Sequence, residues 1–434
     1  MRNDMTRRTF VRTLAVGGAA AVALPAWARG EPKGPNDRIT LGFIGVGTMG
    51  RGHLGAFLGD ADVQVVAVCD VVKERREDAK KKVEDAYAKA RDKENYKGCA
   101  ALNDFRELLD RKDIDAVVIA TPDHWHALPA VYAARAGKDI YCEKPLTRTI
   151  AEGRRVVEEA KKKNVIFQTG SQQRSEFGGH FRQAVELVRN GRIGKVKTVW
   201  VGVGAPNKPC DLKEEEAPEG TDWDRWLGPA PKRGYSSVLC PKGIHNHFPA
   251  WRNYREYAGG LLADMGAHHF DIAQWALGMD GGGPVSVEPP EGKAETGLRF
   301  VYESGVEMFH GFQPNLPKGL PTDCVFHGSD GTIFVSREEI IVAPGKLAKA
   351  PLPEGGFRAY PSSNHRRNWI ECVKSRKEPI CPAEVGHRSA TVCHLANIAY
   401  QLRKKLKWDP AKERFDDDEA NKLIDQPMRE PWKF

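Results

Sequence analysis

A β-branched and apolar run, Ile39-Thr40-Leu41-Gly42-Phe43-Ile44, stops at Gly45-Val46-Gly47-Thr48-Met49-Gly50. This reads as strand, glycine turn, helix. In the G-x-G-x-x-G pattern the first glycine permits a tight turn, the second lets backbone approach a pyrophosphate, and the third lets helix pack on strand. The helix that opens at Thr48 and Met49 offers free N–H groups and a partial positive charge to phosphates. A second strand, Val63–Cys69, ends in Asp70, twenty residues beyond Gly50. A carboxylate there accepts hydrogen bonds from ribose hydroxyls and repels a 2′-phosphate, which favours NAD while leaving NADP open. Arg75 and Arg76 nearby read as the solvated face of a charged helix.

The pattern continues as a parallel α/β sheet. Ile114–Ala120 is a near-continuous apolar strand, suited to a sheet covered on both faces, and it delivers the loop Thr121-Pro122-Asp123-His124-Trp125-His126. Asp139–Cys142 delivers Glu143-Lys144-Pro145 to the same carboxyl edge, where open α/β sheets bind ligands. Val165–Thr169 reads as the sixth strand, followed by a loop whose Gln172 and Arg174 are candidate ligand contacts. The expected organisation is a Rossmann dinucleotide-binding domain over 36–165 and an α+β domain over 166–434. The second half alternates in short runs, Lys195–Val203, Gly297–Val301, Val306–Phe312, Cys324–His327 and Thr332–Val335, which predict a large open, mostly antiparallel sheet. Its exposed face suits self-association into a dimer or tetramer. The segment His365–Ser375 and a helix over Ser389–Lys405 are expected to pack back on the first domain.

The glycine turn, Asp70, the Thr121-Pro122-x-x-x-His126 loop and Glu143-Lys144-Pro145, with Gly259–Asp271 downstream, resemble the glucose–fructose oxidoreductase, inositol dehydrogenase and rhizopine catabolism family, Gfo/Idh/MocA. The resemblance implies proton handling by Lys144 and His268 with Asp264 beside them, Glu143 near the nicotinamide ribose, and Arg225 and Trp226 close to the cofactor. Independently of it, a spacing of four puts Asp264 and His268 on one helical face. Oxidation of a secondary alcohol needs a base, a group that stabilises alkoxide, and a hydride acceptor. His268 suits the first task by its unperturbed pKa, and Lys144 the second by its compact charge. His269 would exchange roles with His268 on a one-residue change of register. Trp251, with the neighbouring His245-Asn246-His247-Phe248 and Arg252, is placed to line a sugar site.

The expected activity is therefore NAD(P)-dependent oxidation or reduction of a sugar or polyol hydroxyl. Two alternatives stand beside it. One is a redox-neutral glycosidase or lyase working through a transient keto-sugar, although the family's hydrolases carry a different His-containing motif. The other is a non-catalytic binding protein, for which a proton relay would be superfluous.

Residues 1–30 read as a signal peptide. Arg7-Arg8 with Phe10, an apolar run from Leu14 to Leu24 and Pro25-Ala26-Trp27-Ala28 resemble a twin-arginine export signal, so a periplasmic or otherwise exported protein is expected. No later segment has spanning length without charges. The 66 Lys and Arg exceed the 58 Asp and Glu only modestly and are scattered, so nucleic acid is not implied. Nine cysteines without a CxxC pair read as buried small hydrophobes. Whether Cys210 and Cys240 are joined stays open, and the paired histidines complete no recognisable metal set.

Overall fold

Strand β1 (Ile39–Ile44) is apolar on both faces, so it can only sit at the centre of a covered sheet, and it pairs in parallel with β2 (Val63–Cys69) on one side and β4 (Ala116–Ile119) on the other. The computed structural model describes residues 38–90, 97–349 and 351–434; the expected signal peptide lies outside the described residues. With β3 (Ala100–Leu102), β5 (Asp139–Cys142) and β6 (Phe167–Thr169), the first sheet has the order β3-β2-β1-β4-β5-β6, every pairing parallel. That is the doubly wound dinucleotide-binding order, whose crevice opens where the order reverses, between β1 and β4. The sheet runs past residue 165, because β6 completes it.

Two later segments close over this sheet. Helix His365–Ser375 contributes Trp369, whose ring meets Phe57 and Tyr141 edge-on at 5.8 and 5.7 Å. The helix expected at 389–405 runs instead over Ala383–Leu402, starting directly after Pro382, and packs on helix Ile150–Lys163 as well as on helix Gly260–Leu277. Near the end of the chain, Trp432 packs against Trp125, with ring centroids 4.8 Å apart.

The second sheet joins β7 (Val196–Val201), β8 (Ser286–Glu288), β9 (Arg299–Val301), β10 (Glu307–His310), β11 (Cys324–Gly328), β12 (Thr332–Val335), β13 (Ile340–Ala343), β14 (Leu406–Asp409) and β15 (Arg414–Phe415). Its order is β13-β12-β11-β7-β10-β9-β8-β14-β15, antiparallel except for β7 beside β10. Val199, Met308, Phe326 and Ile333 share a register row on the inner face and pack with the helices. The adjacent row, Phe309, Trp200, Val325 and Phe334, faces the other way.

Buried histidines make this fold acid-sensitive. Burial pushes His124 down to about 3 and His269, His310, His365 and His394 to about 4. The unfolded chain takes up these protons below about pH 6.5, whereas the native state refuses them. Stability contributed by each group is thus present above pH 6.5 and is lost as pH falls toward 4, by up to about 1.4 kcal/mol per pH unit. Asp123 and Asp323, held up at about 8 and about 6, act in the opposite sense but are fewer. A marked fall in the urea midpoint from pH 7 to pH 5 is expected; an unchanged midpoint would contradict it.

Candidate active site

The carboxyl ends of the first sheet and the start of helix Gly260–Leu277 enclose a cleft of about 410 Å³. At one end lies the glycine turn. Gly45 has φ +85°, and a Cβ there would stand 2.8 Å from the Ala120 backbone; a Cβ on Gly50 would stand 2.2 Å from the Gly45 carbonyl oxygen. Gly47 has nothing within 4 Å of such a position and borders the cleft. These are the three demands of the motif: tight turn, open approach, close packing. Thr48 and Met49 line the cleft, while Gly50 lies beneath the turn and touches it only through packing.

Asp70 ends β2 and is nearly buried. Its carboxylate accepts from Val46 N at 3.0 Å and Val72 N at 2.9 Å, so it also braces the turn. Arg75 is buried as well, donating to the Gly243 carbonyl at 3.0 Å and bordering the cleft, which corrects its reading as a solvated side chain. Arg76 donates to the Asp70 carbonyl at 3.1 Å. Replacing Asp70 by Ala removes the brace and the carboxylate expected to accept from the ribose. The expected result is NAD affinity lowered at least about tenfold, checked by fluorescence titration with NADH.

The next loops are tied together by His126, whose ring nitrogens lie 2.8 Å from the Pro145 carbonyl and 3.0 Å from the Thr121 carbonyl. Thr121, Pro122 and His126 all border the cleft. Glu143 stands 2.8 Å from His53 Nε2 and accepts from Gln172 Nε2 at 2.7 Å. Burial pushes its carboxyl up, but His53, Lys144 and Gln172 outweigh that and hold it below its ordinary value. Arg225 pairs with Asp222 at 2.6 Å on the rim. Trp226 is both core and lining: it stacks on Trp223 at 4.7 Å, and its carbonyl accepts from Trp125 Nε1 at 2.9 Å.

At the other end, Lys144 Nζ donates to Asp264 Oδ1 at 2.7 Å and to the Asp264 carbonyl at 2.6 Å, joining the first sheet to helix Gly260–Leu277. Arg252 Nε stands 3.4 Å from Asp264 Oδ1, with its guanidinium over the Trp251 ring at 4.1 Å. Burial raises the Asp264 carboxyl, yet the charges of Lys144 and Arg252 bring it below its usual range. One turn on, His268 borders the cleft. Burial, then the charges of Lys144 and Arg337, push its pKa well below the ordinary value, so the ring is neutral near pH 7, and its Nδ1 has no hydrogen-bond partner. His269 faces away, with Nδ1 3.0 Å from the Gly202 carbonyl and Nε2 3.5 Å from Asp323.

One expected ligand contact lies elsewhere. Arg174 is buried outside the cleft lining, bound to Asp271 at 2.7 and 2.8 Å and to Asp280 at 2.6 Å. A guanidinium with those carboxylates around it is a structural tie between the loop after β6 and helix Gly260–Leu277. Arg252, expected beside Trp251 to line a sugar site, does border the cleft, whereas sequence reading passed over His53, Asp123 and Arg337. Asp123 was within reach of it, since it adjoins Pro122, which was singled out. His53 and Arg337 carried no local signal. Cys210 and Cys240 are both free thiols, and Cys210 Sγ lies 2.6 Å from an Arg233 guanidinium nitrogen.

A doubly wound sheet with this glycine turn, and an ammonium, a carboxylate and a neutral imidazole at the far end of one cleft, define a dinucleotide-dependent oxidoreductase. Family models agree: residues 39–171 match the oxidoreductase family's NAD-binding Rossmann fold and residues 194–434 its C-terminal alpha/beta domain. The chain belongs to the Gfo/Idh/MocA oxidoreductase family. It is 27% identical over 394 residues to the myo-inositol 2-dehydrogenase of Thermotoga maritima, covering 85% of this chain and 98% of that protein. The WlbA dehydrogenase from Bordetella pertussis, solved with NADH and UDP-GlcNAcA, has the same fold at TM-score 0.55 and 19% identity, over 86% of this chain and 99% of that one. Aldose-aldose oxidoreductase from Caulobacter crescentus, complexed with glycerol, aligns at TM-score 0.57 and 19% identity, over 85% and 99% of the two chains.

Proposed function

We propose that the protein oxidises a secondary hydroxyl of a sugar or polyol, with a tightly held NAD, and works outside the cytoplasm. The observation that carries the activity is the Lys144–Asp264 pair at 2.7 Å, in the same cleft as His268 and the glycine turn.

NAD, when bound, would supply the acceptor for the hydride of the carbinol carbon. The turn at Gly45 and Gly47, with the N–H groups of Thr48 and Met49, suits the pyrophosphate; Asp70 suits the adenosine ribose, and Glu143 with Gln172 the nicotinamide side. Lys144 spends two of its three donors on Asp264. The third remains for the reacting hydroxyl, where a positive charge favours alkoxide. His268, neutral, accepts the hydroxyl proton. Asp264 holds Lys144 in place. Because His268 titrates far below 6.5, the loss of activity on acidification that it causes should fall below that pH.

Support for tight binding comes from the segment around His245. Thr48 Oγ1 donates to the His247 carbonyl at 3.0 Å, Arg51 binds the His245 carbonyl, and Arg75 holds Gly243 at 3.0 Å. This strap crosses the start of the phosphate-binding helix. Export is supported by Arg7-Arg8 and the apolar run after them, since a twin-arginine route carries folded protein with its cofactor aboard. A retained cofactor must be regenerated in place by a second substrate. The likeness to an aldose-aldose oxidoreductase fits that reading. The outward row of Trp200 and Phe309, stacked at 4.6 Å, supports a homo-oligomer formed through the second sheet.

The test is mass analysis of nucleotide released on denaturation, followed by ultraviolet absorption while sugars and polyols are added. Released NAD and a lasting reduced-nicotinamide signal are expected. Aglycone release from glycosides with no net signal would replace this reading by the redox-neutral one, and an absence of nucleotide binding would end both.

A further inference from the structure

Asp123 has no task in the reaction as derived so far. It sits in the short turn after β4, is 3% exposed and borders the cleft. Among the described residues its own backbone N–H is the one group that hydrogen-bonds its carboxyl. The charges that act on it most are Asp264, Lys144 and Arg252, all at the reaction end, and none belongs to the glycine turn or to Asp70. A buried carboxyl whose one protein partner is its own N–H, facing a cleft, keeps unmet hydrogen-bonding capacity that is costly unless the ligand fills it.

We propose that Asp123 is a specificity-determining substrate contact: its carboxyl binds the hydroxyl next to the one being oxidised, so the substrate class is compounds with adjacent hydroxyls. This inference rests on the dehydrogenase reading above. Lys144 holds the reacting hydroxyl, and Asp123, which lines the same cleft as Lys144 and Asp264, is placed for its neighbour. Burial and the Asp264 charge push Asp123 up to about 8, against the pull of Lys144 and Arg252, so it is mainly protonated at pH 7. A protonated carboxyl both donates and accepts, as a hydroxyl does, and it adds no second negative charge beside Asp264. A substrate lacking that hydroxyl leaves the carboxyl desolvated and unpaired, which is how a polar site rejects a deoxy analogue.

The experiment compares wild type, Asp123→Ala and Asp123→Asn, all loaded with NAD, on myo-inositol, glucose and the monodeoxy analogues of each. Wild type should lose about ten- to hundredfold in kcat/KM on one deoxy isomer. Asp123→Ala should lose that discrimination, turning over the parent as slowly as the analogue, with NAD affinity unchanged. Asp123→Asn, which keeps a donor and an acceptor in the same shape, should retain most of it. If Asp123→Ala still discriminates against the same isomer, or weakens NAD binding instead, the assignment is overturned. Wild type turning over none of the parents would strike the dehydrogenase reading itself, and the inference with it. These two failures are distinguished by the wild-type control.

Discussion

Lys144→Ala should lower turnover by about a thousandfold or more while the protein keeps its cofactor. Among the described residues the lysine supplies the only ammonium that bonds Asp264, at 2.7 Å, and it is the donor proposed for the reacting hydroxyl. Its removal leaves Asp264 with Arg252 at 3.4 Å, a planar fork already stacked on Trp251 and unable to reproduce a point charge at the same place. His268→Ala should cost a similar factor through loss of the proposed base. The double variant should be little worse than either single one, because groups acting in one step are not additive. Nucleotide content after purification and stopped-time turnover check the two halves of the expectation. Comparable activity in wild type and both variants would remove Lys144 and His268 from the chemistry.

Arg174→Ala should cost about 3–5 kcal/mol of stability and act on substrate only indirectly. Arg174 is 2% exposed and Asp271 is fully buried. Without the guanidinium, Asp271 keeps the Ser389 hydroxyl at 2.7 Å and little else, leaving an uncompensated charge in the interior. Adding Asp271→Asn should recover part of the loss, which urea unfolding measures. An unchanged unfolding midpoint with a raised KM would return Arg174 to the substrate contacts.

The contrast between Arg174 and Arg252 shows how far sequence reading reached. Each is an arginine near a recognised motif, a residue type that suits a polyhydroxylated ligand. Which one meets the cleft depends on carboxylates remote in sequence: Asp271 and Asp280 capture Arg174, whereas Arg252 reaches Asp264 beside the open space. Length of element explains the rest. The strands β1, β2 and β4 announce themselves as apolar runs. The strands β3, β8, β13, β14 and β15 span two to four residues, too few for a period to show, and exist because neighbouring strands offer them an edge.

By itself the sequence determined the local chemistry: where the chain must turn, since only glycine tolerates φ +85° at Gly45, which loops leave the carboxyl edge, and that Asp264 and His268 share a helical face. Tertiary structure alone decided which of those groups meet. Lys144 and Asp264 are 120 residues apart and come within 2.7 Å because helix Gly260–Leu277 packs across the sheet's carboxyl edge. The same packing turns His268 toward the cleft and His269 toward Gly202, and it buries His268 enough to keep it neutral. Burial and approach are properties of the assembled core, and no single stretch of chain contains them.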